Sequence, residues 1–278
     1  MTRLESDYYD YMGYDSAHSK EGLAHYVPYF EPPFLRSGGP VLELACGRGE
    51  LLELLRDAGV EAEGVDLDEG MVDAARTAGL TVTLGDALAD LEARPDDSLQ
   101  GVFSAHFVEH LEPDVLERMV GESARVLAPG GVFVAATPNT GCVSVMGYDF
   151  WRDPTHVRPY EPRLLAFYCA KAGLEVVELG ENPRNHGGPP PETRAPATHV
   201  DADLRYDLAN TLNSIFDPQG EGLPNDQSPW HRLGHFVAVL EERLRVTQEE
   251  LASVRRSYAH LLDRLYQSNE VYVVARAR

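Results

Sequence analysis

Between residues 41 and 180 apolar positions follow two rhythms, and each change of rhythm marks a new element. "PVLELAC" is a short apolar run interrupted only by Glu43 and reads as a buried strand. "GELLELLRDAGV" repeats leucine at helical spacing and stops at Gly59. "EAEGVDLD" predicts a second strand, "EGMVDAARTAGL" a helix and "TVTLGDA" a third strand. "LQGVFSAH" is a fourth strand, and "PDVLERMVGESARVL" is helical. The strand "GGVFVAATPN", the helix "EPRLLAFYCAKAG" and the strand "LEVVELG" follow. "EVYVVARAR", the last nine residues, alternates like one more strand. Strands alternating with helices of this length predict an α/β fold with a doubly wound, mostly parallel sheet covered on both faces.

The pattern breaks between Glu181 and Pro229, where "NPRNHGGPPPETRAP" and its surroundings read as irregular. A helical seam then runs through Val237, Leu240, Leu244, Leu251, Val254, Tyr258, Leu261 and Leu265, with Thr247 the one break. This heptad spacing predicts a coiled-coil-like helix, either paired with a second copy as a homodimer through residues 231–267 or folded on its own domain. If "EVYVVARAR" completes the main sheet, the expected organisation is an N-terminal arm or lid over 1–37, a core over 38–180 plus 270–278, and an insertion over 181–269. The tyrosines of "DYYDYMGYDSAHSK" suit a lid over a bound ligand.

A formal net charge of -21 opposes phosphate backbones and speaks against nucleic acid as partner. No apolar run is long enough to span a membrane, and "MTRLESDYYDYMGYDS" lacks the apolar stretch of a signal peptide. Cys46, Cys142 and Cys169 are too scattered for a disulfide framework or a cysteine-based zinc site, so a cytoplasmic location is expected.

The chemistry concentrates at predicted strand ends. In "VLELACGRGE" a strand runs into Gly47-x-Gly49 and a helix follows, a turn that lets a ligand approach the backbone. Residue 52 is Leu, so this is not the dinucleotide pattern. Glu43 lies inside the strand, where an acid is costly unless used. Asp66 ends the second strand, where an acid can accept both hydroxyls of a ribose, and Asp86 ends the third, within reach of an adenine amino group. Three acids at successive strand ends suit a ribosyl-adenine ligand without phosphates.

"VLELACGRG", "GVDLD", "GDA" and "VLAPGGVFVAATPN" together resemble the class I S-adenosylmethionine-dependent methyltransferases, over residues 38 to 180 plus the terminal strand. The resemblance implies a Rossmann-like sheet of seven strands with the last antiparallel. It also implies S-adenosyl-L-methionine bound by Glu43, Ala45, Gly47, Gly49, Asp66, Leu67, Asp86, Ala87 and Ala105. A narrower resemblance, carried by "YVPYF", "FVEHL" and "FWRDPTHVRPYEPRLLAFYCAKAGL", is to bacterial surface-polysaccharide methyltransferases. These include enzymes that cap O-antigen chains on a terminal sugar or phosphate. It implies O-methylation of a sugar or glycan hydroxyl.

"SAHFVEHLEP" places His106, Glu109 and His110 on one face if it forms a helical turn, and His156 follows after the fifth strand. The arrangement resembles the metal-binding "ExxEH plus a downstream His" of small-RNA 3′-end 2′-O-methyltransferases and part of the ubiquinone-pathway O-methyltransferases. It has His106 in place of the first Glu. Three readings stand. His106, Glu109, His110 and His156 hold a divalent metal such as Mn, Fe, Co or Zn. Alternatively, among the catalytic candidates His106, His110 and His156, His106 or His156 is a general base without metal. Alternatively, Glu109 and His110 are structural. Trp151 and Tyr160 are candidates to stack on a sugar, and Arg152 and Arg158 to bind an anionic group. The competing functions are methylation of an RNA 3′-terminal ribose and a non-catalytic coiled-coil scaffold.

Overall fold

The computed structural model describes residues 16–32, 34–35, 39–185 and 268–278. The heptad helix, the irregular segment after residue 185 and the first tyrosines lie outside the described residues. Two compact units divide the chain. The first comprises Met1–Pro138, Thr155–Asn185 and Glu270–Arg278; the second comprises Asn139–Pro154 and His186–Asn269.

The first unit is built on one seven-stranded sheet of order β3-β2-β1-β4-β5-β7-β6. Its strands are β1 (Val41–Leu44), β2 (Ala62–Asp66), β3 (Val82–Leu84), β4 (Leu99–Ala105), β5 (Leu127–Pro138), β6 (Glu175–Glu181) and β7 (Glu270–Arg276). β1 to β5 run parallel, and β7 is inserted antiparallel between β5 and β6. This is the predicted sheet, with the terminal strand in the predicted sense. Chain order leaves β1 in both directions, toward β2 on one side and β4 on the other. A crevice must therefore open at the carboxyl ends of β1 and β4. Because β7 is antiparallel, its first residue, Glu270, pairs with Pro138 at that same edge.

Period-two alternation covers both faces. Leu42, Val102, Phe133, Ala135 and Val273 pack with Leu116, Met119 and Leu165 of the helices Pro113–Val126 and Pro162–Lys171. Val41, Phe103, Val134, Tyr272 and Val274 pack with Leu51 and Leu55 of the helix Glu50–Asp57, and with Tyr26 and Phe30. The helix Ala87–Ala93 was not anticipated from the sequence. It is short, and Asp86 starts it by accepting from the Ala89 amide at 2.9 Å. All three cysteines are buried and free of disulfides, and among the described residues no helix is long and apolar enough to cross a membrane.

Gly64 on β2 faces the Cys46 side chain; a Cβ there would lie 2.5 Å from its Sγ and 2.9 Å from Leu52 Cδ1. Gly64→Ala is expected to cost roughly 1–3 kcal/mol of stability, as overpacking of a filled core does. The check is a lowered urea midpoint with an unchanged slope.

In the second unit, the described residues Cys142, Val145 and Phe150 form a small apolar cluster. Asn139 ties its entry to its exit, its amide donating to Asn269 O at 2.8 Å and its side chain to Ser268 O at 2.7 Å.

Candidate active site

Leaving β1 the backbone turns sharply. Ala45, Gly47 and Gly49 have φ of 53°, 53° and 81°, all left-handed. For Ala45 this conformation carries strain, which persists in folded proteins mainly where a site uses it. Gly49 also needs its missing side chain, since a Cβ would come within 2.4 Å of Leu80 Cδ1. Asp66, at the end of β2, ties the turn down. Its Oδ2 accepts from the Gly47 amide and its Oδ1 from the Asp68 amide, both at 2.8 Å. Glu43 is buried, and its Oε2 has no hydrogen-bond partner. Burial, then the charges of Glu50 and Asp66, push its pKa well above the ordinary carboxylate value, while the Leu52 amide pulls the other way. Beside Asp66, Leu67 is 69% exposed. Asp86 lies one strand further out, with Ala87 buried behind it.

The acceptor side starts where β4 ends. His106 follows Ala105 with φ 50°, its amide donating to Ala136 O on β5 at 3.0 Å. The 3-10 turn Val108–His110 then brings Glu109 and His110 under the sheet edge. Glu109 is fully buried. Its Oε2 accepts from Thr137 Oγ1 at 3.0 Å, whereas its Oε1 has no hydrogen-bond partner. That oxygen faces His106 Nδ1 at 3.5 Å and His156 Nε2 at 4.0 Å. The Glu109 carbonyl accepts from the Val157 amide at 2.9 Å, which pins the loop carrying His156. His110 Nδ1 shares a hydrogen bond of 2.9 Å with Thr155 Oγ1, which leaves Nε2 as its outward nitrogen. Glu109, His110 and His156 each offer one ligand atom, all within 4.8 Å of one another.

His106 turns its Nε2 to Glu270 Oε2, 2.7 Å away. Burial lowers the imidazole pKa, but the carboxylates of Glu109 and Glu270 more than reverse this and hold it well above the ordinary histidine value. Glu270 is buried in turn. Burial alone would raise its pKa; hydrogen bonds from His106, Tyr26 and Asn182 bring it below its usual value. The Tyr26 hydroxyl and Asn182 Nδ2 both donate to its Oε1, the amide at 2.6 Å.

Residues 14–179 match the family described as a methyltransferase domain. The chain belongs to this methyltransferase family. A probable S-adenosylmethionine-dependent methyltransferase of Mycolicibacterium smegmatis is 32% identical over 207 residues, covering 69% of this chain and 79% of that protein. A ubiquinone biosynthesis O-methyltransferase of an Azoarcus species is 29% identical over 185 residues, covering 61% of this chain and 76% of that protein. The crystal structure of a SAM dependent methyltransferase from Archaeoglobus fulgidus has a TM-score of 0.68 at 23% identity. It covers 98% of this chain and 99% of that one, and it speaks for the fold.

The protein is thus an S-adenosylmethionine-dependent methyltransferase with a Rossmann-like fold. Its residues suit that cofactor. The turn at 45–49 leaves backbone exposed at the carboxyl end of β1. Glu43 brings a buried carboxyl oxygen without a hydrogen-bond partner and Asp66 a second acid at the next strand end, acceptors for a ligand that carries an ammonium group and ribose hydroxyls.

The remaining predicted residues fall into two groups. Arg158 is exposed, with its guanidinium over the Tyr160 ring at 5.0 Å. Tyr160 itself is fully buried and its hydroxyl donates to Leu111 O at 2.9 Å, so its ring packs in the core instead of facing a sugar. Burial pushes that hydroxyl up to about 12. Trp151 and Arg152 belong to the second unit. There Trp151 is 64% exposed with its indole donating to Met146 O at 2.7 Å, and Arg152 lies 5.4 Å from the Tyr148 ring. Glu270, Tyr26, Thr137 and Thr155 were not anticipated from the sequence. For Glu270 a signal existed: an acid opening an otherwise apolar, alternating terminal strand.

Proposed function

We propose that this methyltransferase methylates a hydroxyl on a vicinal diol of a sugar or glycan, with a divalent cation held by Glu109, His110 and His156. The observation that carries this reading is their convergence within 4.8 Å at the carboxyl end of β4, on the far side of the crevice from Asp66. Two carbon-bound oxygens side by side are a ligand such a site can grip.

S-adenosylmethionine, when bound, supplies a methyl group already activated by its positive sulfur. The chain must therefore hold that group, align the acceptor oxygen with it and dispose of one proton. Glu43, Asp66 and the turn at 45–49 do the holding. A cation at Glu109, His110 and His156 would supply a Lewis acid that lowers the pKa of a hydroxyl beside it. Thr137 and Thr155 fix the orientations of Glu109 and His110, as groups behind metal ligands commonly do. Alignment alone is worth up to roughly 7–11 kcal/mol of barrier.

The named ubiquinone-pathway relative supports methyl transfer to oxygen. The net charge of -21 speaks against an RNA terminus. Labelled methyl transfer to a panel of methyl glycosides, catechol and a 3′-terminal dinucleotide tests the assignment. Glycosides are expected to accept the label. Transfer to the dinucleotide alone would replace the glycan reading with the RNA one, and transfer to catechol alone would move the substrate to a phenol.

A further inference from the structure

We propose that Glu270 withdraws His106 from the ligand set, so that the cation site consists of three side chains, Glu109, His110 and His156, with the His106–Glu270 pair forming its wall. The inference rests on the metal reading above and adds to it which side chains bind and which do not.

Sequence spacing alone groups His106 with Glu109 and His110. The structure keeps His106 beside Glu109 but outside the cluster. The side chains whose ligand atoms lie within 4.8 Å of one another are Glu109, His110 and His156, and His106 is not in that set. Its Nε2 is taken by Glu270 Oε2 at 2.7 Å. Glu270 cannot easily yield it. It is 2% exposed and is itself held by Tyr26, by Asn182 at 2.6 Å and by Asn185 at 3.4 Å. Swinging His106 toward the cluster would leave a buried carboxylate short of a charge-assisted hydrogen bond, a costly exchange. The left-handed φ of 50° at His106 fixes where its ring leaves the backbone. Nδ1 lies 3.5 Å from Glu109 Oε1, yet His106 stays outside the set whose ligand atoms all lie within 4.8 Å of one another.

Each of the three remaining groups contributes one ligand atom to the cluster. Glu109 gives the buried, unpartnered Oε1, Thr137 having taken Oε2; His110 gives Nε2, Thr155 having taken Nδ1; and His156 stands with Nε2 at 4.0 Å from Glu109 Oε1. Two imidazoles and one carboxylate are a donor set for Mn, Fe, Co or Zn that leaves coordination positions open. Those positions would accommodate both oxygens of a vicinal diol.

The test is titration of chelator-treated, metal-free protein with Mn²⁺ alone, followed by calorimetry, with no acceptor present. Wild type is expected to take one ion per chain. His110→Ala and His156→Ala should each weaken binding tenfold or more, and His106→Gln should stay within about twofold of wild type. Equal losses for His106→Gln and His110→Ala would overturn the assignment of His106 while leaving a metal site. No binding by wild type would remove the metal reading and this inference with it. Pulsed electron paramagnetic resonance of the Mn²⁺-loaded wild type checks the same point without a variant. Two coordinated imidazoles support the inference, and three contradict it.

Discussion

His110→Ala is expected to abolish most methyl transfer while leaving S-adenosylmethionine binding at the wild-type level. The two halves of the site explain the split. His110 sits over the β4 end with Thr155 and Glu109, whereas Glu43, Asp66 and the 45–49 turn lie over β1 and β2. An acceptor hydroxyl is a poor nucleophile until its proton is lost. Removing the group that makes this possible costs roughly 10²- to 10⁴-fold in rate. His156→Ala should behave the same way, because the Glu109 carbonyl pins the loop carrying it against the same turn. Turnover with the active acceptor and calorimetry with the cofactor separate the two properties. A variant that loses cofactor affinity in step with rate would mean that His110 supports the whole crevice and not its acceptor half.

Asp66→Ala should do the opposite and weaken S-adenosylmethionine binding directly. A charged acceptor lost from a ligand contact costs about 1.5–3 kcal/mol, or roughly 10- to 100-fold in affinity. Asp66 also holds the Gly47 and Asp68 amides at 2.8 Å, so the alanine variant releases the turn as well as the ligand. Asp66→Asn separates the two effects, since its amide oxygen can still accept one of those bonds. It is expected to fall between wild type and alanine, with a melting temperature near that of wild type. Wild-type affinity in a folded Asp66→Ala protein would remove Asp66 from the cofactor site.

How much of this was legible in the sequence follows from how local each signal is. The strands and most helices were readable because each carries its own periodicity. The glycine turn and the strand-end places of Asp66 and Asp86 were readable because they follow motif spacing; what Asp86 does there was not. Glu109, His110 and His156 were readable as a group because two are adjacent in sequence and the third follows the next strand. His106 shows the limit. Its spacing places it with Glu109 and His110, and its left-handed backbone, which no local pattern announces, turns it to a residue more than 160 positions away. Glu270 follows from topology: only once β7 is antiparallel does its first residue fall at the carboxyl edge of β5. Tyr160 misled for the converse reason. An aromatic beside arginines reads as a stacking surface, and only packing shows its ring enclosed with its hydroxyl on Leu111. The helix Ala87–Ala93 was hidden because Asp86 serves as its cap, a role obscured by reading the acid as a ligand contact.

The most direct test of the account is transfer of a labelled methyl group from S-adenosylmethionine to a vicinal-diol acceptor, measured before and after complete removal of divalent metal. The account predicts transfer by the native protein, loss on chelation with cofactor affinity retained, and recovery on adding Mn²⁺ to wild type but not to His110→Ala. Full transfer by protein verified to be metal-free would contradict it and leave a histidine acting alone as the base.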